Sequence, residues 1–435
     1  MTYGEAVARL LGLRGGEVAG MRPGLARIRA LLDALGQPER QFRIVQVGGT
    51  NGKGSIAAML AAILTAAGHR TGLYTSPHLC SFRERIRVDG RPLAEADVAD
   101  GVEALGTLVA RLDATMFEAA TALALDHFAR RAVEIAVLEV GLGGRLDATT
   151  VGSPEVEIIA RIDHDHQAQL GHTLAEIAAE KAHIIRSGIA LSARQEPEVE
   201  QVLVRRAAAM AVPLAFEGRE LRVSAAAPAT LEGQRLDLSG PGWRLDDVRC
   251  ALLGVFQPGN ALVAAAAARA LGAGERAIRA GLAAVRWPGR FQVLGRDPTL
   301  VLDGAHNPGG ARALAASLRA HFPAQPLTLV IGISADKDQV GILEPLAGLA
   351  SRLIVTASAH PRAASPEALA RVAAGLNRPP GSTIQTAASA AEALALALSA
   401  PRTPTVCVAG SLFLIGEVLA QRPETPDILC GLERG

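Results

Sequence analysis

The sequence predicts an α/β fold in which a mainly parallel, doubly wound sheet is followed by a second, smaller α/β domain. Short β-branched runs alternate with helix-length segments along most of the 435 residues, a pattern that is typical of parallel sheets. A glycine-rich stretch, GGTNGKGS at 48–55, separates the first predicted strand from an apolar helix. A chain of this length has room for two domains.

The predicted elements of the first half follow one another in βα order. Gly68 comes directly after the first apolar helix, as is common at helix C-termini. Short glycine-containing segments between 213 and 250 then predict a small antiparallel patch, and two alanine-rich helices follow within 261–285. The predicted strands are 44–47, 71–75, 133–140 and 156–162, with helices that include 56–67 and 174–186.

The βα alternation begins again in the last third of the chain. We place a domain boundary near 295–298, which gives domains 1–296 and 297–435. The strands predicted for the second domain are 299–303, 327–333, 352–356 and 405–409.

Composition excludes several classes of protein. The net charge is +1 and aromatic residues make up 3%, so we expect no nucleic-acid surface built on charge and stacking. No apolar run reaches the roughly 18 residues of a membrane span, and the N-terminus lacks a signal-peptide layout. The cysteines show no CxxC spacing, which favours a reduced, cytoplasmic protein; they are Cys80, Cys250, Cys407 and Cys430.

Lysine is scarce in this chain. Only three of the 44 basic residues are lysines: Lys53, Lys181 and Lys337. Arginine is permanently charged, whereas lysine is a compact amine that can lose its proton and react. The three lysines therefore mark positions where arginine would not serve.

The glycine-rich stretch predicts a phosphate-binding loop with one departure. A helix N-terminus and close backbone amides favour an anion, and Lys53 stands where a phosphate-loop lysine belongs. The hydroxyl that would bind magnesium is replaced by Gly54, and Ser55 comes one residue late. The predicted nucleotide contacts in this loop are Gly49, Thr50, Asn51, Gly52, Lys53, Gly54 and Ser55.

Three polar residues at the ends of predicted strands are candidates for the missing magnesium ligands. They are Ser76, Glu139 and His166, and open α/β sheets place ligands at this edge. Glu139 stands where other P-loop enzymes carry an acidic metal residue, whereas a histidine normally indicates a softer metal. Ser76 could instead cap a turn, Glu139 could be a surface acid, and His166 could be a solvated loop histidine.

Lys181 lies on the helix that follows the histidine loop. The ordinary interpretation is an exposed lysine on a helix, but at such positions this chain normally has arginine. A lysine beside metals could be carboxylated by CO₂, and the carbamate would offer two anionic oxygens that arginine cannot supply. We therefore consider an N6-carboxylysine at Lys181.

Polar clusters in the second half also follow predicted strands. Arg290 comes after WPG, and LDGAHNP contains Asp303, His306 and Asn307. An arginine could steady a transferring phosphoryl group, on whose oxygens charge develops. Asp303 and His306 could hold nucleotide, acceptor or incoming amine, although a capped turn accounts for Asn307 equally well.

Taken in order, eleven motifs resemble the folylpolyglutamate synthase/dihydrofolate synthase family within the Mur ligases. They run from about residue 22 to 417 and cover nearly the whole chain. The resemblance implies a P-loop NTPase-like ATP-binding domain and a smaller, Rossmann-like glutamate ligase domain. The motifs are GTNGKGS, YTSPHL, TMFE, EVGLGGRLDAT, DHQAQLG, AEKA, WPGRF, LDGAHNP, ADKD, HPR and GSLFLIGE.

The resemblance assigns roles to particular residues. It implies catalytic roles for Lys53, Lys181, Arg290 and His306, and two magnesium ions held by Ser76, Glu139, His166 and a carbamylated Lys181. ATP contacts are implied at Asn260, Arg290 and Asp303, and glutamate contacts at His306 and Ser411. Folate or pteroate is expected against Thr115, Phe117 and Glu118.

The implied reaction is ATP-dependent addition of L-glutamate to dihydropteroate and to reduced folates. Alternatives are a monofunctional folylpolyglutamate synthase, another Mur-type amide ligase, or a P-loop ATPase without ligation. Fewer than fifty residues precede the loop, which argues against a peptidoglycan-type ligase. We expect a monomer, since no long amphipathic surface stretch indicates a partner.

Three positions depart from the family pattern. His183 replaces a glycine, Thr150 replaces an asparagine, and a proline is absent at 189–191. We expect the first two to affect substrate preference more than ATP use.

Overall fold

The computed structural model describes residues 1–13, 24–295, 297–323, 325–399 and 404–421. Cys430 and part of the predicted boundary near 295–298 lie outside these residues, and the domains 1–296 and 297–435 stay a prediction. The chain forms two compact units. The first comprises Met1–Ala226, Leu236–Arg249 and Pro258–Val285, and the second comprises Ala227–Arg235, Cys250–Gln257 and Arg286–Gly435.

An eight-stranded sheet organises the first unit. The strands are β1 (Arg43–Gly48), β2 (Thr71–Tyr74), β3 (Ile86–Val88), β4 (Arg91–Pro92), β5 (Ile135–Glu139), β6 (Val156–Ile159), β7 (Ile189–Ser192) and β8 (Leu214–Phe216). Their order in the sheet is β4-β3-β2-β5-β1-β6-β7-β8. The pairs β2-β3 and β3-β4 are antiparallel, and all other neighbouring pairs of this sheet are parallel.

Helices fill the connections, as the βα pattern predicts. The first ten are α1 (Tyr3–Leu11), α2 (Ala26–Ala34), α3 (Lys53–Ala66), α4 (Glu95–Leu112), α5 (Met116–Arg130), α6 (Gln167–Leu170), α7 (Leu174–Lys181), α8 (Pro197–Met210), α9 (Gln257–Ala270) and α10 (Glu275–Ala284). The helix predicted at 174–186 is shorter than expected: α7 ends at Lys181, and a 3₁₀ turn covers Ala182–Ile184.

The strands β1, β5 and β6 are mostly apolar, as is typical of parallel strands that are buried on both faces. Helix α3 is buried nearly all round, which explains why its sequence is apolar without a polar face. Because α3 is packed on nearly all sides, the loop that precedes it is held in one orientation.

The predicted antiparallel patch is only partly as expected. Strand β8 joins the parallel sheet beside β7. Strands β9 (Arg222–Thr230), β10 (Gly233–Gly240) and β11 (Trp243–Cys250) form a separate sheet in the order β11-β10-β9. Their two-residue connections permit only antiparallel neighbours.

The second unit contains a six-stranded sheet in the order β12-β13-β17-β14-β15-β16. Among these described strands, only β12 runs antiparallel to its neighbour. The strands are β12 (Gln292–Leu294), β13 (Thr299–Leu302), β14 (Leu327–Ile331), β15 (Ala350–Val355), β16 (Thr383–Thr386) and β17 (Thr405–Ala409), with α11 (Pro308–His321), α12 (Gln339–Ala347), α13 (Pro366–Ala374), α14 (Ala390–Leu398) and α15 (Leu412–Ala420). Both parts of the predicted α/β architecture are confirmed. In the part of the chain that the structure describes, no helix is both long and apolar enough to span a membrane.

A buried carboxylate on β6 makes stability depend on pH. Glu157 is fully buried and accepts the backbone N–H of Ser187 at 2.7 Å. Burial raises the pKa of Glu157 from 4.5 to about 7. The folded state therefore binds a proton at Glu157 more tightly than the unfolded state does. The stability that this protonated carboxyl contributes is lost as pH rises from about 5 through 7.

We expect Glu157→Gln to flatten this part of the stability profile. The amide oxygen can still accept the Ser187 N–H, and nothing at this position then titrates. Thermal unfolding of both proteins at pH 5 and pH 7.5 measures the difference. An equal fall in Tm with pH in both proteins would contradict the prediction.

Candidate active site

The loop between β1 and α3 needs glycine at two positions. Gly49 has φ +123°, and a Cβ there would lie 2.6 Å from the carbonyl oxygen of Ala160. Gly52 has φ +100°, and its Cβ would lie 2.7 Å from Oδ1 of Asn260. Asn260 lies in the first turn of α9. The tight fit therefore places a predicted ATP contact directly against the loop.

The loop is held by the chain segment that follows β6. The backbone N–H groups of Thr50 and Asn51 both donate to the carbonyl oxygen of Arg161, at 2.9 and 3.0 Å. The hydroxyl of Thr50 also bonds the backbone of Asp163 at 3.1 Å. These two loop amides anchor the loop, so the N-terminus of α3, which begins at Lys53, is the part that remains to meet a phosphate.

Two of the three lysines meet this loop. Lys53 donates from Nζ to the carbonyl oxygen of Thr50 at 3.1 Å, and Lys181 donates to that of Gly49 at 2.8 Å. Lys181 is buried, and burial lowers its pKa to about 7, with the charge of Lys53 acting in the same direction. The carboxylates of Asp165 and Asp147 act in the opposite direction. The ordinary interpretation of Lys181 as an exposed lysine is wrong.

The fold brings Ser76 and Glu139 together at the ends of two neighbouring strands, as predicted. Glu139 ends β5, is 5% exposed and pairs with Val47 of β1. Its Oε2 accepts the backbone N–H of Ser76 at 3.2 Å. The ordinary interpretation of Glu139 as a surface acid is therefore wrong.

His166 is the residue just before α6, has φ +50° and is half-buried. Its Nε2 lies 3.9 Å from Oδ1 of Asp165 in its own loop. Within the described ranges, no three histidine, cysteine, aspartate or glutamate side chains are grouped as a metal site. The fit to magnesium therefore depends on the oxygen donors Glu139 and Ser76, which are of the type that this ion prefers. The role of His166 stays a prediction.

The stretch predicted to contact folate begins α5. Thr115 and Glu118 form a capping box, with Thr115 N–H donating to Glu118 at 2.8 Å. The carboxylate of Glu118 also pairs with Arg27 of α2 at 3.0 Å. Phe117 is half-buried, and its ring fills the space beside Gly141. Thr115 and Glu118 thus stabilise the helix start, and the contact of this stretch with folate stays a prediction.

In the second unit, Asp303 follows β13 and ties two loops together. Its carboxylate accepts the N–H groups of Phe291 at 2.7 Å and Ala305 at 2.8 Å. Burial raises the pKa of Asp303, and the charge of Arg290 acts in the opposite direction.

The other predicted residues of this unit stand at the starts of helices. His306 Nδ1 lies 2.8 Å from the carbonyl oxygen of Gly304, immediately before α11. Ser411 caps α15, where its hydroxyl accepts the N–H of Phe413 at 3.2 Å. Their roles toward glutamate stay a prediction.

Two long stretches of the chain match one enzyme family. Residues 47–268 match the Mur ligase middle domain, and residues 289–412 match the Mur ligase glutamate ligase domain. The chain belongs to the Mur ligase family. The first match contains the phosphate loop, and the second contains Arg290, Asp303 and His306.

Relatives place the chain in one branch of the Mur ligases. It is 40% identical over 378 residues to the dihydrofolate synthase/folylpolyglutamate synthase of Mycobacterium tuberculosis, covering 81% of this chain and 77% of the relative. The enzyme of that name from Escherichia coli is 33% identical over 352 residues, with 80% of each chain covered. The chain spans about half the length of a Haloferax volcanii relative, a probable bifunctional folylpolyglutamate synthase/dihydropteroate synthase, at 39% identity.

Solved structures similar to this chain support the same placement within the Mur ligases. Mycobacterium tuberculosis folylpolyglutamate synthase complexed with ADP has a TM-score of 0.89 and 36% identity, covering 97% of this chain and 98% of that one. Escherichia coli FolC in complex with DHPP and ADP has a TM-score of 0.87 and 31% identity, covering 97% of each chain. The chain is an ATP-dependent ligase of the folylpolyglutamate synthase/dihydrofolate synthase branch of the Mur ligases.

The structure locates Thr150 and His183, two of the three departures from the pattern of this Mur ligase branch. Thr150 is buried, and its hydroxyl donates to the carbonyl oxygen of Gly144 at 2.6 Å. Gln46 of β1 donates to the same hydroxyl at 2.9 Å. His183 contacts the carbonyl oxygen of Ala179, one turn back, at 2.8 Å. Thr150 therefore supports the glycine-rich turn that contains Gly144, whereas His183, in the 3₁₀ turn after α7, bonds back to that helix.

Asp147 is a residue of this site that the sequence analysis did not single out. It is buried, which raises its pKa, and it accepts the N–H groups of Leu142 and Thr149, each at 2.9 Å. Its charge acts on Lys181. The signal was present in GLGGRLDAT, where an acid follows a glycine-rich turn, but no spacing rule connects it to Lys181.

Proposed function

We propose that this chain joins L-glutamate to dihydropteroate, giving dihydrofolate, and to the γ-carboxyl of reduced folates, giving folylpolyglutamates, with ATP as co-substrate. The observation that carries the proposal is the pair of family matches, one on the phosphate-loop domain and one on the glutamate ligase domain. Relatives of the same branch are named for both activities.

A carboxylate is a poor electrophile, and ATP corrects this in two steps. In the first, a carboxylate oxygen attacks the γ-phosphorus, ADP leaves and an acyl phosphate forms. In the second, the α-amine of glutamate attacks the acyl carbon, phosphate leaves and the nitrogen loses a proton. The product is an amide, and the sum is ATP, acid and amine giving ADP, phosphate and amide.

Residues of the phosphate loop would serve the first step. The N-terminus of α3 offers backbone N–H groups to the phosphates, and Lys53 exchanges the carbonyl of Thr50 for a phosphate oxygen. Arg290 would stabilise charge on the transferring phosphoryl group, since positioning and electrostatics supply most of the catalysis in such reactions. Asp303 would keep the loop of Arg290 in place through its bond to Phe291.

Magnesium ions, two in our proposal, would be held by Glu139, Ser76, His166 and a carboxylated Lys181. When bound, they neutralise phosphate charge and orient the oxygens that react. The low pKa of Lys181 supports its carboxylation, because a neutral amine is required to attack CO₂. The new carbamate would replace the bond from Nζ to Gly49 with an anion beside the loop.

Glutamate and the acceptor acid would be bound by other parts of the chain. We assign glutamate to His306, which lies two residues before α11, and to Ser411, which caps α15. We assign the pteridine-bearing acid to the start of α5, with Phe117 as its contact. We also propose that the protein is cytoplasmic and monomeric. Light scattering on the purified protein tests whether it is a monomer.

We expect glutamate-dependent ADP release with dihydropteroate and with tetrahydrofolate when purified protein is given ATP, magnesium and L-glutamate. Products gain one glutamate residue in mass. Turnover with tetrahydrofolate alone would indicate a monofunctional folylpolyglutamate synthase. ATP hydrolysis without an acceptor and unchanged by glutamate would overturn the ligase assignment in favour of a P-loop ATPase.

A further inference from the structure

We infer that Gln195 is a positioning residue for ATP binding. It acts by holding in place the backbone segment that supports the phosphate loop. This inference rests on the proposed function. Gln195 follows β7, is 6% exposed and belongs to none of the motifs that carry the family resemblance.

The supporting segment is residues 160–163, the chain just after β6. Three of its four residues meet the phosphate loop directly. The carbonyl of Ala160 lies against Gly49, closely enough to exclude any side chain there. The carbonyl of Arg161 accepts the N–H groups of two loop residues, and the backbone of Asp163 bonds the hydroxyl of Thr50. The loop is therefore shaped against this segment before any nucleotide arrives.

Gln195 holds the same segment from the side of β7. Its Oε1 accepts the N–H of Ile162 at 2.9 Å, and its Nε2 donates to the carbonyl oxygen of Ala160 at 3.1 Å. The same amide nitrogen also donates to the hydroxyl of Ser192 at 3.2 Å. One side chain thus bonds the backbone of two residues, 160 and 162, and both lie next to residues that bond the loop.

The alternation of contacts explains why the glutamine matters. Backbone groups of an extended segment point alternately to opposite sides. Here Arg161 and Asp163 serve the phosphate loop, whereas Ile162 is held by Gln195. Strand β6 ends at Ile159; beyond it the N–H of Ala160 still bonds the carbonyl oxygen of Gly48 in β1 at 2.8 Å, whereas the N–H of Ile162 is bonded by Gln195. Loss of the amide would leave a buried N–H and a buried carbonyl without this partner, which favours rearrangement of the segment.

A displaced segment should weaken ATP binding more than it slows chemistry. ATP would have to restore the loop with part of its own binding energy, which raises the Kd and KM for ATP. Once ATP is bound, the loop and Lys53 are again in place, so kcat changes little. The KM for glutamate, assigned to the second unit, is expected to stay the same.

The chain offers a matched control in the second unit. Gln234 is 7% exposed, and its Nε2 donates to the carbonyl oxygens of Leu252 at 2.9 Å and Gly254 at 3.2 Å. Gln234→Ala removes a buried amide with the same kind of backbone bonds, in the unit that does not contain the phosphate loop. A loss of stability common to both variants can thus be separated from an effect on ATP.

The experiment measures ATP Kd by calorimetry, together with kcat and KM, for wild type, Gln195→Ala and Gln234→Ala. We expect the Kd for ATP to rise about tenfold in Gln195→Ala, as the loss of such bonds permits, and to stay within about twofold in Gln234→Ala. Unchanged ATP binding in Gln195→Ala, or an equal loss in both variants, would overturn the inference. Failure of the wild type to ligate glutamate would overturn the proposed function instead, since the Kd is measured without turnover.

A second variant keeps the inference testable if Gln195→Ala does not fold. In Gln195→Glu, one oxygen can still accept the Ile162 N–H, but an ionised carboxylate cannot donate to Ala160. Its ATP Kd relative to wild type at the same pH should therefore be higher at pH 8.5 than at pH 6, where a buried carboxyl is more protonated. A pH-independent ratio near one would contradict the inference.

Discussion

Replacing Lys53 with alanine is expected to lower kcat for glutamate ligation by at least about 10²-fold, the scale found when one donor to transition-state charge is removed. Lys53 stands at the first turn of α3, and its Nζ lies 3.1 Å from the carbonyl oxygen of Thr50. It needs only to exchange this neutral acceptor for a phosphate oxygen. Because charge develops on the transferred phosphoryl group, the loss should fall mainly on kcat.

Two further variants identify the cause of that loss. Lys53→Arg keeps the positive charge and is expected to recover only part of the activity, because a planar guanidinium replaces a compact ammonium group. Arg371→Ala removes an exposed cation on α13 and should leave turnover unchanged. ADP release and product mass measure all three proteins. Near-normal turnover in Lys53→Ala would remove the nucleotide assignment of the loop.

The sequence predicts the parts of this site that depend on local pattern. A glycine-rich turn between a β-branched run and an apolar helix is typical of a phosphate-binding loop, and the structure places this turn between β1 and α3. The carboxyl ends of parallel strands lie at one edge of a sheet, and this rule correctly predicts that Ser76 and Glu139 lie close together. The backbone nitrogen of Ser76 is 3.2 Å from Oε2 of Glu139 although 63 residues separate them in the sequence.

Other contacts depend on packing that no local pattern contains. Gln195 lies in ALSARQEPE, where nothing marks it, and its importance comes from a segment 33 to 35 residues earlier. The pair of Arg27 with Glu118 joins residues 91 apart. Lysine scarcity indicated Lys181, but the low pKa results from burial and from Lys53 nearby, which only the tertiary structure brings together.

Packing gives a structural role to some residues that are also predicted to contact a ligand. The resemblance implies that folate lies against TMFE at 115–118, and this contact stays a prediction. The structure uses Thr115 and Glu118 in a capping box and in an ion pair with Arg27. Short polar residues at a helix start satisfy its backbone before they serve a ligand. The same applies to Ser411 and Asn307, each of which caps a helix.

Replacing Lys181 with arginine is the sharpest test of a carboxylated lysine, and we expect at least about a 10²-fold loss of turnover, comparable to removal of a metal ligand. Arginine keeps a cation that can bond the carbonyl of Gly49, but it cannot form a carbamate. If Lys181 serves only as a cation beside the loop, the arginine variant should keep most of its activity. The two roles thus predict opposite results from one substitution.

Chemical rescue then distinguishes a lost carboxylate from a damaged fold. Lys181→Ala leaves space beside Gly49 that a small acid such as formate or acetate can enter, and we expect either to restore part of the turnover. The same acids should not help Lys53→Ala, in which the missing group is a cation. Rescue of neither variant, together with near-normal activity of Lys181→Arg, would mean that Lys181 serves only as a buried cation, bonded at 2.8 Å to the loop.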